Sequence, residues 1–394
     1  MALGTSWLFA RPAGSLQYTG EPTDPICETG YATHMNNVTA RWMAGAAALI
    51  PISLGLNALG AAAPWVFVTA ALAIVPAAWA MGVATEDLAR RMGPALGGLL
   101  NATFGNAAEL IITLAAVRAG ELDVVRASLI GSIVGNILLV LGLSVLLGGL
   151  KYRTQRFNED AAGVHTVMMM LAVIALLTPS LFVHAAPGMI ASAANPRVEA
   201  LSLGVSGLLI LLYLGSLVFS LHTHQDFFRS AAETHAADPV RWSRATAVGV
   251  LAAATAVIAV ESEVMVRHLD SVVAAWGMNK LFVGVILVPI VGNAAEHATA
   301  VAMALKNKMD ISLNIAVSSS TQIAFFVAPI VVFASVPLGH AVPYVFNTFE
   351  LIAVAVAALI ASLIARDGQC HWLEGAQLLV VYLILAMAFY FIPG

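Results

Sequence analysis

Glu109 and Glu296 each sit inside an otherwise uncharged stretch of chain, with no Lys or Arg within a helical turn or two. A carboxylate so placed costs several kcal/mol unless it is protonated, paired or bound to a cation, so its natural partners here are protons or a metal ion. The two acids share their flanks: Gly105-Asn-Ala-Ala-Glu109 recurs as Gly292-Asn-Ala-Ala-Glu296, an offset of 187 residues. Gly-Asn is poor helix-forming chemistry and Pro289 stands three residues before Gly292, so local unwinding that frees backbone carbonyls is expected. Two carboxylates, Asn106, Asn293 and freed carbonyls make an all-oxygen shell suited to a hard cation, Ca2+ before zinc or copper. A single intramembrane Glu also reads as a hydrogen-bonded structural residue, but two copies with identical flanks favour the ion site. His297 follows the second Glu where the first copy has Leu110. It can tune the site, relay protons, or be a satisfied core histidine.

The elements that must hold these residues follow from composition. The chain has 394 residues, 60% apolar and only 10% charged, with a mean hydropathy of +0.89, which excludes a soluble globular enzyme. A net charge of −4 without a basic tract excludes a nucleic-acid binder, and Cys27 with Cys370 cannot build a disulfide framework or a multi-cysteine metal site. At about 20 apolar residues per bilayer crossing, the uncharged runs predict eleven transmembrane helices near 42–60, 64–85, 95–117, 127–150, 161–184, 200–221, 245–266, 281–305, 311–336, 343–365 and 373–392. The expected class is an all-α integral membrane protein with 1–40 a soluble tail, 41–62 an extra first helix, 63–222 and 244–394 two five-helix repeats, and 223–243 a cytoplasmic linker. The tail lacks the basic flank and apolar core of a cleavable signal peptide. Thirteen of the 18 Lys and Arg fall on the side that carries the N-terminus, which places it in the cytoplasm and the C-terminus opposite.

Other coincidences share the 187-residue offset: Asp123 falls on Asp310 and Ser132 on Ser319, while Asn136 misses Gln322 by one position. The two motifs lie in spans 3 and 8, an odd interval that puts the copies in opposite orientations. That is the inverted-topology repeat of secondary transporters, which bind substrate near the midplane on broken helices.

Leu100-Asn-Ala-Thr-Phe-Gly-Asn-Ala-Ala-Glu-Leu-Ile and Val288-Pro-Ile-Val-Gly-Asn-Ala-Ala-Glu-His resemble the two repeat motifs of the cation/proton exchanger (CAX) family of Ca2+/H+ antiporters. The likeness extends to Ala84-Thr-Glu-Asp-Leu-Ala, to Ala127-Ser-Leu-Ile-Gly-Ser with Asn136-Ile-Leu-Leu-Val-Leu-Gly, to Phe346-Asn-Thr-Phe-Glu350 and to Trp372-Leu-Glu-Gly. Na+/Ca2+ exchangers share the architecture, but a Ser/Thr-Pro-Glu type signature is expected of them. The resemblance implies that Glu109 and Glu296 carry Ca2+ and protons in turn. It implies that Asn106, Asn293 and carbonyls near Ala102 and Val288 complete the ligand field, and that Ser132, Asn136, Ser319 and Gln322 line the site. The four lining residues also read as small-residue helix packing. Glu86 and Glu263 are implied as proton-pathway or gating acids near the two openings, and for Glu86 a charge at a helix end is an equal reading. Glu261, two residues from Glu263, faces another side of the helix. Glu350 is intramembrane with no obvious counter-ion. The linker departs from the acidic Ca2+-sensing helix common in the family, because its acids alternate with His222, His224, His235, Arg229 and Arg241.

No cofactor is expected; the transported ions are Ca2+ and H+, and the partner is the lipid bilayer. Exchange of Mn2+, Na+ or K+ is the alternative. A metal-dependent intramembrane hydrolase using Glu296 and His297 lacks the H-E-x-x-H spacing and has no need of a site written twice. The scarcity of Lys among the basic residues and the abundance of Ala suggest a bacterial cytoplasmic membrane, with a vacuolar membrane as the other choice.

Overall fold

The computed structural model describes residues 41–185, 195–224 and 242–392, except for the side chains of Gly93, Pro94, Ala95 and Ala102. The expected tail 1–40 and most of the expected linker, 225–241, lie outside the described residues. Contacts divide the chain into Met1–Gly45 and Ala46–Gly394. In the first unit the described residues, 41–45, are helical; everything below concerns the second.

That unit is almost entirely helical. Its helices are α1 (Leu49–Ala58), α2 (Ala63–Phe104), α3 (Ala107–Arg118), α4 (Leu122–Lys151), α5 (Glu159–Ala185), α6 (Pro196–Thr223), α7 (Arg244–Arg267), α8 (Leu269–Trp276), α9 (Lys280–Gly292), α10 (Ala294–Ala304), α11 (Met309–Ser335), α12 (Thr348–Ile364) and α13 (Trp372–Phe391). Among the described residues seven helices are long and apolar enough to cross a membrane, and eight if the bent pair α8–α9 is one span. Eleven crossings were expected, and four of the expected spans are not single continuous helices of that length. The expected spans 3 and 8 are each broken at the Gly-Asn motif, and span 10 is the 17-residue α12. The expected first span is the ten-residue α1.

Helix α2 cannot be one straight rod. A Cβ on Gly97 would lie 2.3 Å from the carbonyl oxygen of Ala89, yet eight residues along a straight helix span about 12 Å. The chain therefore doubles back between Met92 and Leu96, around Pro94. Ala63–Met92 makes the crossing, and the remainder of α2 leads into the first motif.

Two further departures from the expected pattern are local. α8 and α9 meet at 115°. Wide π-helical turns interrupt α4 at Gly135–Val140, α9 at Val283–Leu287 and α11 at Ile323–Val327, and another ends α6 at Phe219–Thr223. Such turns concentrate at functional sites, and three of the four carry or adjoin Asn136, Val288 and Gln322. One short ladder accompanies the helices: β1 (Gln155–Arg156) pairs antiparallel with β2 (Gln369–Cys370), Gln155 opposite Cys370.

α4 and α11 are buried along most of their length. Small residues let their neighbours approach, as membrane helix packing requires. A Cβ on Gly131 of α4 would lie 2.2 Å from the Val285 carbonyl of α9. Opposite, α2 and α7 form the most extensive helix pair and run antiparallel. Trp242, just before α7, donates its amide to Asp87 Oδ2 at 2.7 Å near the far end of the first crossing, and Thr255 reaches Met81 midway along both helices.

Candidate ion-binding site

Both motif acids stand at the third position of a helix that starts again after a break. Asn106, with φ −104° and ψ 24°, precedes α3, and Asn293, with φ −95° and ψ 8°, precedes α10. Neither is a helical conformation that a following turn can continue cleanly, so the helix restarts and Glu109 and Glu296 fall in its first turn. There the exposed amides and the dipole favour negative charge. Glu109 is 6% exposed, and both of its carboxylate oxygens are buried without a hydrogen-bond partner; Oε2 of Glu296 is likewise buried and unpartnered. The two carboxyls are close enough to feel each other's charge.

A ring of neutral polar groups ties the two motifs together. Asn293 donates Nδ2 to Ser132 Oγ at 3.3 Å and to the Pro289 carbonyl at 3.0 Å. In the counterpart pair, Ser319 Oγ donates to Asn106 Oδ1 at 2.9 Å. Asn106 Nδ2 donates to Gln322 Oε1 at 2.6 Å, and Gln322 passes the chain on to Ser318 at 3.2 Å. Asn136 Nδ2 reaches Ser319 Oγ at 3.1 Å and Asn293 Oδ1 at 3.4 Å, and His297 Nε2 lies 3.3 Å from Asn136 Oδ1. The structure thus brings Asn106, Asn293, Ser132, Asn136, Ser319, Gln322 and His297 into one network beside the two acids. The amide oxygens of Asn106 and Asn293 each accept one hydrogen bond and keep a second lone pair. Val288 is buried at the first residue after the π turn of α9. Ala102 lies in the helical stretch before the first break, and its side chain lies outside the described residues.

The outer acids lie elsewhere. Glu86 pairs with Arg90 at 3.4 Å near the end of the first crossing, whereas Glu263 stands near the end of the antiparallel α7 and pairs with Arg118 of α3 at 3.4 Å. They therefore sit at opposite ends of the α2–α7 pair. Arg118 and Glu263 border a cavity of about 330 Å3 with Ile111, Leu114, Ala115, Ala259 and Val260. Both members are exposed, so the pair contributes about 1 kcal/mol at most. On α3 these cavity residues are turned roughly 180° from Glu109, at about 100° per residue. Glu350 closes a capping box with Asn347 at the start of α12 and keeps a buried, unpartnered Oε1. The sequence reading missed Gly292's role, which needs three dimensions: a Cβ there would lie 3.3 Å from Glu109 Cγ, so the absent side chain makes room for the acid.

Among the described residues no three His, Cys, Asp or Glu side chains converge as a metal centre would require. What converges is two carboxylates amid neutral oxygens, a donor set for a hard cation and not for a soft one.

Comparison with known proteins agrees with this arrangement. Residues 62–222 and 246–391 match the model of the family described as sodium/calcium exchanger protein. The chain is 44% identical over 361 residues to a Ca(2+)/H(+) antiporter of Aphanothece halophytica, covering 87% of this chain and 95% of that one. It is 44% identical over 349 residues to the Ca(2+)/H(+) antiporter ChaA of Bacillus subtilis, covering 87% and 97%. The solved structure of native YfkE superposes with a TM-score of 0.75 at 41% identity, covering 88% of this chain and 98% of that one. The chain is a multi-pass membrane protein and belongs to the sodium/calcium exchanger protein family.

Proposed function

We propose that this protein exchanges Ca2+ for H+ across a membrane by alternating access, with Glu109 and Glu296 as the carriers. The observation that carries the reading is the buried carboxyl of Glu109, with no hydrogen-bond partner, and the partly buried carboxyl of Glu296, whose Oε2 is buried without one, in matching first turns of two restarted helices. The relatives named Ca(2+)/H(+) antiporter support it. Two adjacent carboxylates cannot cross the bilayer interior empty and charged. One Ca2+ neutralises both, and so do two protons, so the same oxygens serve either cargo and the two cannot be held together. Changeover is confined to the loaded site, which couples the opposed fluxes.

In this reading Asn106, Asn293 and carbonyls near Ala102 and Val288 share in holding Ca2+. Ser132, Asn136, Ser319 and Gln322 keep the two motifs in register, and His297 tunes the site through Asn136. Glu86 and Glu263 act at the two openings. The halves are 63–222 and 244–394, joined by the linker 223–243 and preceded by an extra helix at 41–62. The N-terminus faces the cytoplasm and the membrane is a bacterial cytoplasmic one.

The test is Ca2+ uptake into proteoliposomes under an imposed pH gradient, with Na+, Mn2+ and K+ as competitors. Uptake is expected to require the gradient and to vanish in Glu109→Gln and Glu296→Gln while both variants remain folded. Gradient-driven Ca2+ uptake by either variant would remove the carboxyls from the central role, and competition by another cation would reassign the cargo.

A further inference from the structure

Of the two acids near the end of α7, Glu263 is half exposed and paired with Arg118, whereas Glu261 is wholly buried. The only fully buried residue of α1 is Ser53, a polar side chain in a mostly apolar ten-residue helix, and its hydroxyl donates to Glu261 Oε2 at 2.7 Å across 208 positions of sequence. The other oxygen, Oε1, is buried with no hydrogen-bond partner. The helix α1 is therefore seated on α7 through one hydroxyl and one carboxyl.

The charged groups on the packed elements are engaged elsewhere or distant. α1 carries none. On α2, Glu86 pairs with Arg90, and Asp87 and Arg91 bind Trp242, all at the opposite end of α7. On α3, Arg118 is taken by Glu263, and Glu109 belongs to the central site. On α8, Asp270 is taken by Lys280, and His268 binds its own helix at the Val264 carbonyl. Arg267 and Arg244 lie at the two ends of α7, Arg267 being exposed and more than a turn beyond Glu261. Among the described residues an anion at Glu261 would be a buried charge with one hydrogen bond and no counter-ion, whereas a neutral acid needs no counter-ion.

We infer that Glu261 is a proton-binding site, separate from the central pair, which holds a proton while Ser53 of α1 is docked against it. Deprotonation places an uncompensated charge at the α1–α7 seam and loosens α1, which makes this helix responsive to protons whichever cation the protein carries.

The experiment is infrared difference spectroscopy on the intact protein in lipid, comparing the unaltered chain with Glu261→Gln and with Glu263→Gln as a control. Near neutral pH the carbonyl band of protonated carboxylic acids is expected to lose one group's intensity in Glu261→Gln and none in Glu263→Gln. In Ser53→Ala, which preserves the acid, the band is expected to persist and shift, because its hydrogen bond is gone. Loss from the ionised-carboxylate band instead, or a Glu261→Gln spectrum identical to the unaltered one, would overturn the inference. A Ser53→Ala spectrum with no shift would do the same. None of these readouts requires transport, so they stand or fall separately from Ca2+/H+ exchange.

Discussion

Gly292 lies directly against Glu109: a Cβ built on the glycine would stand 3.3 Å from Glu109 Cγ and 3.5 Å from its Oε1. The repeat motif thus does two jobs at once, since the glycine of one copy shapes the space for the acid of the other. Gly292→Ala is expected to displace that carboxyl by a few tenths of an ångström. Strain of about 1–3 kcal/mol at such an overpacked site should appear mainly as a rise in KM for Ca2+ of about tenfold or more, with melting temperature lowered only modestly. Concentration-dependent uptake and a thermal melt separate the two.

Proton competition fixes the sign of the pH dependence. Lowering the pH equally on both faces protonates the carboxyls that Ca2+ needs, so the apparent KM for Ca2+ must rise as pH falls. Its limiting slope is about two decades per pH unit where two protons replace one Ca2+. Initial rates of exchange at a series of symmetric pH values measure it, and a KM that stays flat through the acid range would contradict shared oxygens.

Gln155 is almost wholly buried, and its Nε2 donates to the Ala304 carbonyl at 2.8 Å and to Asn307 Oδ1 at 3.2 Å, at the end of the helix that carries Glu296 in its first turn. Gln155→Ala leaves that carbonyl buried without this donor. The expected cost is about 1–3 kcal/mol, seen as a lowered melting temperature in detergent.

Cys370 lies in β2, outside the spanning helices. Burial, with smaller contributions from Glu374 and Asp367, pushes its thiol up to about 12. At neutral pH it is almost entirely the unreactive thiol. In a Cys27→Ser background, maleimide labelling should be very slow in the folded protein and become fast on unfolding, so that a mass measurement of labelling reports the transition.

The central motifs were legible because their signal is local. An acid without a basic neighbour in an apolar run, written twice with the same flanks, states its environment in five residues. The breaks at Asn106 and Asn293 followed from Gly-Asn, and the doubling back of α2 falls at the Met92-Gly-Pro stretch where the sequence divided its spans. The π turns at Gly135–Val140 and Ile323–Val327 were not legible, since the run Gly-Asn-Ile-Leu-Leu-Val is equally compatible with an ordinary helix and only packing selects the wider turn. The different fates of Glu261 and Glu263 were hidden for another reason. The sequence says that acids two apart face different sides, but which side meets Ser53 depends on a helix 208 residues away. The ladder between Gln155 and Cys370 joins segments just as remote, through strands too short to carry a pattern.

The turn between α3 and α4 and the turn between α10 and α11 each follow a motif helix, and each has a left-handed residue, Gly120 and Asn307. Their fastenings differ. The first is held by charge, Arg118 to Glu263 and Glu121 to Lys280, with Lys280 also bound to Asp270. The second is held chiefly by hydrogen bonds to carbonyls, from Lys151 and Tyr152 to Leu305 and from Gln155 to Ala304. Dissolved salt screens exposed charges over about 8–10 Å and leaves the buried bond from Gln155 to Ala304 nearly untouched. The two turns therefore differ in their response to the medium: brine slackens the first and largely spares the second.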